Sequence, residues 1–250
     1  MHINPCEYWC KSRPGRASSG RRLMITVLTG FVAGAAHVWT GPDHLAALAP
    51  LAADKPARAW IPGARWGAGH SLGVVAVGLL ALLFRQALPT ELLSSWSERL
   101  VGVMLFAIGL WAVCKAARLK IHTHQHQHEH ESGKHIHIHA HGPGHDHAAP
   151  GSHRHTHTAV GIGLLHGLAG SAHFFGVLPM LALPTRSQAL LYLLTFSLGT
   201  IASMAAFSWF VGLTASRCAG RGPQLYRGFI GLCGLAAMSV GGFWLLHAGS

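Results

Sequence analysis

The sequence predicts an all-α integral membrane protein, with about six transmembrane helices arranged as two inverted three-helix repeats and a histidine-rich loop between them. Three observations carry that expectation. Half of the 250 residues are apolar and only 11% are charged, whereas roughly a quarter of a soluble domain is charged. The apolar residues gather in six runs, at 23–41, 66–84, 100–117, 158–182, 188–213 and 228–246, each near the ~20 residues a helix needs to cross the hydrocarbon core. Between the third and fourth runs lies a tract unlike any other part of the chain, and the sequences on its two sides echo each other.

The chain divides accordingly into a basic N-terminal tail (1–22), a first membrane repeat (23–117), a histidine-rich loop (118–157) and a second membrane repeat (158–247). The tail carries no signal-type cleavage site, and the first run continues into Asp43 and His44, so that segment is expected to be retained. The formal charge of +11 does not point to nucleic acid. Its Lys and Arg sit in the tail and loops without interleaved aromatic rings on which bases could stack. At span ends, Arg21, Arg22, Lys115, Arg118, Lys120, Arg217 and Arg221 read as headgroup anchors for a lipid bilayer. With six spans, the side bearing the histidine-rich loop carries eleven Lys and Arg against eight on the other, which leans toward a cytoplasmic loop. The five cysteines form no CxxC pair and no secreted disulfide framework. Within the spans they are expected to pack as small hydrophobes.

Fourteen of the 21 histidines lie between His122 and His157, mostly at every second residue. Gly, Pro and Ser interrupt them and no apolar period exists, so the tract is expected to be disordered when unliganded. Its composition suits collection or sensing of a metal, but imidazole accepts zinc, copper, iron and nickel alike.

The two halves match in register. Gly34 begins GAAHVWTGPDHLAALAP and Gly163 begins GLLHGLAGSAHFFGVLP. Both fit G-x2-H-x3-G-x2-H-x5-P, which aligns His37 with His166, Gly41 with Gly170, His44 with His173 and Pro50 with Pro179. Ser71-Leu72-Gly73 is echoed by Ser197-Leu198-Gly199. Three spans per repeat imply opposite insertion of the halves, and inverted repeats place substrate near the midplane at their interface.

Ionisable residues in or beside the spans are few: His37, Asp43, His44, His70, His166 and His173, with His247 at the far end. Such groups are costly at membrane depth and mark ion pathways. His37, Asp43 and His44 are the primary candidate metal ligands. Gly41-Pro42 should break the helix between them, because proline removes a backbone donor and crowds the preceding turn. Pro42 can then start a second half-helix with Asp43 in its first turn, and carbonyls near Val38–Gly41 are expected to be freed toward the site. Imidazole, carboxylate and carbonyl make a nitrogen/oxygen set that favours nickel or cobalt over soft Cu(I), with zinc also compatible. His70, in GAGHSLG, reads as a ligand, an outer partner or an interhelical hydrogen-bonding group. His166 and His173, seven apart, should share one face of a continuous fourth span. Ala172 replaces the acid and Phe196 stands opposite His70, so that half reads as a relay or gate rather than a second full site.

At these residues a resemblance appears. HVWTGPDHLAALAPLA from His37, GHSLG at 69–73 and HGLAGSAHFF at 166–175 resemble the nickel/cobalt transporter superfamily, in particular its urease-accessory-type and permease branch. The resemblance covers about residues 23–247. It implies that His37, Asp43 and His44 recognise the metal, that no reaction is catalysed and that no prosthetic group is held. The transported ion would be Ni²⁺ or Co²⁺, with uptake and efflux both open. An accessory role would add nickel-enzyme maturation proteins as partners. The well-known permeases carry H-x4-D-H, whereas this chain has one more residue between His37 and Asp43, which leaves the metal preference open. A multi-pass protein of the cell membrane is expected, the inner membrane if the source is bacterial.

Overall fold

The computed structural model describes residues 16–83, 90–124, 137–141, 154–169 and 172–247. Among them are eight α-helices: α1 (Arg16–Thr40), α2 (Pro42–Asp54), α3 (Trp60–Leu83), α4 (Thr90–Arg118), α5 (Arg154–Ala169), α6 (Ala172–Leu181), α7 (Arg186–Arg221) and α8 (Pro223–His247). Four stretches within them are long and apolar enough to cross a membrane: Gly20–Thr40, Glu98–Arg118, Arg186–Arg221 and Pro223–His247. α3 covers the expected second span, and α5 holds a shorter apolar stretch, Ala159–Leu168. α1 begins at Arg16, inside the expected basic tail.

Two boundaries depart from expectation, both for local reasons. The fourth span, expected as one helix, is described as two: α5 ends at Ala169 and α6 begins at Ala172. The shared face expected of His166 and His173 involves the His173 side chain, which lies outside the described residues. Gly170 and Ser171, between the two helices, lie outside the described residues. The histidine-rich segment, expected to lack fixed structure, carries an antiparallel two-stranded ribbon, β1 (Lys120–His124) with β2 (His137–His141). Alternation is the strand period, and Ile121, Thr123 and Ile138 supply the β-branched residues that favour extended backbone. The rest of that segment, 125–136 and 142–153, lies outside the described residues, as does the tail before residue 16.

The helices pack mainly as α1 on α7, α3 on α5 and α7, and α4 on α8. Small residues let backbones approach, as membrane helices require where no hydrophobic force separates them from lipid. A Cβ on Gly34 of α1 would fall 2.0 Å from Phe196 O, and one on Gly199 of α7 would fall 2.1 Å from Phe31 O. Their counterparts in the matching motifs do the same between α5 and α3: Gly163 meets Trp66 O at 2.3 Å, and Gly73 meets Leu164 O at 2.8 Å. Gly109 of α4 and Gly234 of α8 each face the other's carbonyl. The outward faces are apolar, with Leu28, Val32, Leu79, Leu110, Leu194, Phe210 and Leu235 all exposed. That is the surface of a helix bundle whose solvent is lipid. The inner core, Val38, Leu48, Trp66, Leu105 and Met204, is buried around the region where α1 gives way to α2.

Candidate metal site

The site begins with a broken helix. α1 stops at Thr40, and Gly41 takes an extended backbone (φ −92, ψ 99) as the cap of α2, with Pro42 in the first helical position. The break falls where the Gly-Pro pair places it, because proline's fixed φ suits a helix start but not its interior. Of the expected free carbonyls, that of Gly41 is engaged: it accepts from His44 N at 3.1 Å. Gly41 is also a spatial requirement, since a Cβ there would sit 2.3 Å from His44 Nδ1 and 2.9 Å from Asp43 Oδ1.

The break aims both residues inward. Asp43, 6% exposed, lies in the first turn of α2, where the helix dipole favours a carboxylate. His44, buried beside it, donates from Nδ1 to Asp43 Oδ1 at 3.0 Å. An ionised carboxylate only accepts, so this bond places the proton on Nδ1 and makes Nε2 the ring atom that could bind a metal. His37 at the end of α1 lies edge-on to His44, ring centroids 4.7 Å apart, and stacks on His70 of α3 at 5.6 Å. His70 in turn meets His44 at 4.8 Å. Ligand atoms of His37, His44 and His70 all lie within 4.8 Å of one another, a separation that can close on one ion.

The second half reaches the same point. His166 of α5 is buried, its Nε2 is 3.1 Å from Asp43 Oδ2, and its ring lies 4.6 Å from that of His44. Asp43, His44 and His166 form a second group within the same 4.8 Å limit. His166 is thus a direct neighbour of the acid. What brings it there is the close α3–α5 packing, in which a Cβ on Gly167 would fall 2.2 Å from His70 O. Five of the six candidates, His37, Asp43, His44, His70 and His166, converge in one cluster. The sixth, His173, belongs to α6, and its side chain lies outside the described residues. His247 ends α8, exposed, with Nδ1 donating to Phe243 O at 2.9 Å.

Two aromatic neighbours border the cluster. Phe196 lies 5.6 Å from His37 and Trp66 6.0 Å from His166. Phe196 was legible as the residue opposite His70 in the repeat, whereas nothing in the sequence singled out Trp66. His37 alone of the cluster is half-buried, and it borders a cavity of about 330 Å³ between α1 and α6.

The description of one protein family, "Cytochrome C biogenesis protein transmembrane region", matches residues 26–239, most of the chain. The chain belongs to that family. Its similar proteins include two from Arabidopsis thaliana. Chloroplast protein FOR GROWTH AND FERTILITY 1 is 31% identical over 87% of this chain and 58% of its own length. Chloroplast protein FOR GROWTH AND FERTILITY 2 is 30% identical over 91% and 59%. The chain therefore spans under three fifths of either chloroplast relative. Urease accessory protein UreH of Bacillus sp. (strain TB-90) is 28% identical over 90% of this chain and 93% of UreH. No solved structure matches. The helices and the family make this a multi-pass membrane protein. Of the resemblance drawn from its motifs, the urease-accessory side is met by UreH. The family matched is named for cytochrome c biogenesis rather than for nickel or cobalt transport.

Proposed function

We propose that the protein is a secondary transporter of divalent transition-metal ions across the cell membrane, with Ni²⁺ and Co²⁺ as its best-fitting substrates. The observation that carries this is the cluster of buried Asp43, His44, His70 and His166 with half-buried His37, assembled by helices from both halves of the chain. Four imidazoles and a carboxylate give borderline nitrogen ligands with one hard oxygen. That set suits Ni²⁺, Co²⁺ and Zn²⁺ and holds none of the thiolates that select Cu(I). Asp43 supplies negative charge where a dication leaves water and, through His44 and His166, orients two rings toward it. No chemical step is required of these residues; they bind and release the ion.

Two inverted three-helix repeats would let the halves rock about such a site. The matched glycine contacts of α1 with α7 and of α5 with α3 support that arrangement. The name of the UreH relative favours nickel as cargo, and leaves efflux and delivery to nickel-enzyme maturation as alternative outcomes of the same binding. The family's name raises a competing reading, thiol chemistry across the membrane. Among the described residues Cys114, Cys218 and Cys233 are free thiols, and none belongs to the cluster.

Accumulation of radioactive nickel in cells with and without the gene tests the proposal. A rise identifies uptake and a fall identifies export. Equal accumulation of nickel, cobalt and zinc in both strains would sink the transporter reading.

A further inference from the structure

α2 starts at the metal cluster with Asp43 and His44 and ends at Asp54, where a second set of polar contacts holds it. Asp54 pairs with Lys115 near the end of α4; the two side chains are 13% and 37% exposed. One residue earlier, the carbonyl of Ala53 accepts from the Tyr226 hydroxyl of α8 at 3.1 Å. Arg227 binds the last turn of α4 to α8 through Nε to Ala116 O at 3.0 Å and Nη2 to Ala117 O at 3.3 Å. From sequence, Lys115 reads as a headgroup anchor, but the fold turns it onto an acid 61 positions away.

These contacts lie at the end of the bundle that bears the histidine-rich segment, since β1 follows directly on α4. The cavity bordering His37 lies toward the other end. It runs from Thr40 and Gly41 at the α1–α2 break, past Ala33 and Ala36 of α1, to Gly176 and Pro179 of α6 and to Tyr192. Tyr192 is near the start of α7, a 36-residue helix whose far end joins α8 beside Tyr226. The cluster is thus approached by a cavity from one end and covered by α2 from the other. Between cluster and fastening, α2 buries Ala46, Ala47, Leu48, Ala52 and Ala53. Non-helical residues flank it, Gly41 (φ −92, ψ 99) and Lys55 (φ −128, ψ 67), and a few such residues suffice to absorb a hinge rotation.

We infer that the Lys115–Asp54 pair and the Tyr226 hydroxyl form the latch of a gate: α2 covers the metal cluster at the histidine-rich end, and release of its Asp54 end opens the route to that side. The inference rests on the transporter reading. A part-exposed ion pair and a single neutral hydrogen bond are weak enough to be broken and remade in each cycle.

The test uses the full chain in proteoliposomes, cysteine-free except for Ala47→Cys, which places a buried thiol on α2. A membrane-impermeant maleimide is added on the side bearing the histidine-rich segment, and Ni²⁺ binding is measured in parallel. Lys115→Ala and Asp54→Ala should each raise the labelling rate about fivefold while leaving Ni²⁺ affinity within about twofold. Tyr226→Phe should raise labelling by a smaller factor, and the exchanged pair Asp54→Lys with Lys115→Asp should return it toward the original rate. Unchanged labelling in the single variants overturns the latch, as does an exchanged pair that labels as fast as they do. Loss of Ni²⁺ binding in the single variants would show instead that the pair positions the site. Absence of Ni²⁺ binding and flux in the unaltered protein would remove the transporter reading itself, which the labelling does not measure.

Discussion

Asp43 is the residue on which the cluster's electrostatics turn, because its two oxygens face two different histidines. Oδ1 holds His44 Nδ1 and Oδ2 lies 3.1 Å from His166 Nε2. Asp43→Asn keeps the shape but takes away the carboxylate that a buried dication needs in a low-dielectric site. Nickel flux into proteoliposomes should fall to background, as it should for His37→Ala and His44→Ala. His166→Ala removes a group that both borders and orients the cluster. Its Ni²⁺ affinity should drop about 10- to 100-fold, the range seen when outer partners of metal ligands are lost, and titration of the purified protein reads this directly. Full Ni²⁺ affinity in His166→Ala would confine recognition to the first half. Gly41→Ala makes the opposite kind of change, adding one carbon against His44 and Asp43. Metal binding should weaken while helix content stays intact by circular dichroism.

At the scale of elements, the helix pairs α1–α7 and α3–α5 set the distances within the cluster. Gly34→Ala would push a methyl group into Phe196 O, and overpacking of this sort costs about 1–3 kcal/mol. A lower thermal midpoint in detergent, with a smaller loss for Gly220→Ala, where a Cβ would meet nothing within 4 Å, checks it. The histidine-rich segment is a separate element. β1 and β2 pair with each other and follow the end of α4. Deleting residues 120–157 should therefore leave nickel flux largely intact while shifting its dependence on metal concentration, since a chelating segment gathers ions but builds no pathway. Flux that stops on this deletion yet survives Asp43→Asn would make the tract the functional element instead.

Across the whole molecule, the question is whether the bundle moves metal or electrons. The cluster joins α1, α2 and α3 of the first half to α5 of the second, so relative motion of the halves must remake it. Thiol chemistry would instead need a reactive cysteine pair, and the sequence has no CxxC. A variant with all five cysteines replaced should retain nickel flux near the original level in proteoliposomes. Loss of flux there, with the protein folded, would favour the redox reading that the family's name suggests.

The sequence by itself determined what is local or periodic. Apolar length marked membrane helices, Gly41-Pro42 marked the break between α1 and α2, and the rarity of ionisable groups in apolar surroundings marked His37, Asp43, His44 and His70. These signals need only near neighbours along the chain, because span length, proline chemistry and the cost of burying charge act on each segment separately. The tertiary structure alone decided which segments meet. His166, marked by the same rarity and read as a relay or gate, comes against Asp43 because Gly163 and Gly167 let α5 lie close on α3. Lys115, read as a headgroup anchor, and Asp54, which no motif marked, become a pair only when α2 packs beside α4. Such contacts depend on the packing of residues far apart in the chain, and no one-dimensional period records which helix will be the neighbour.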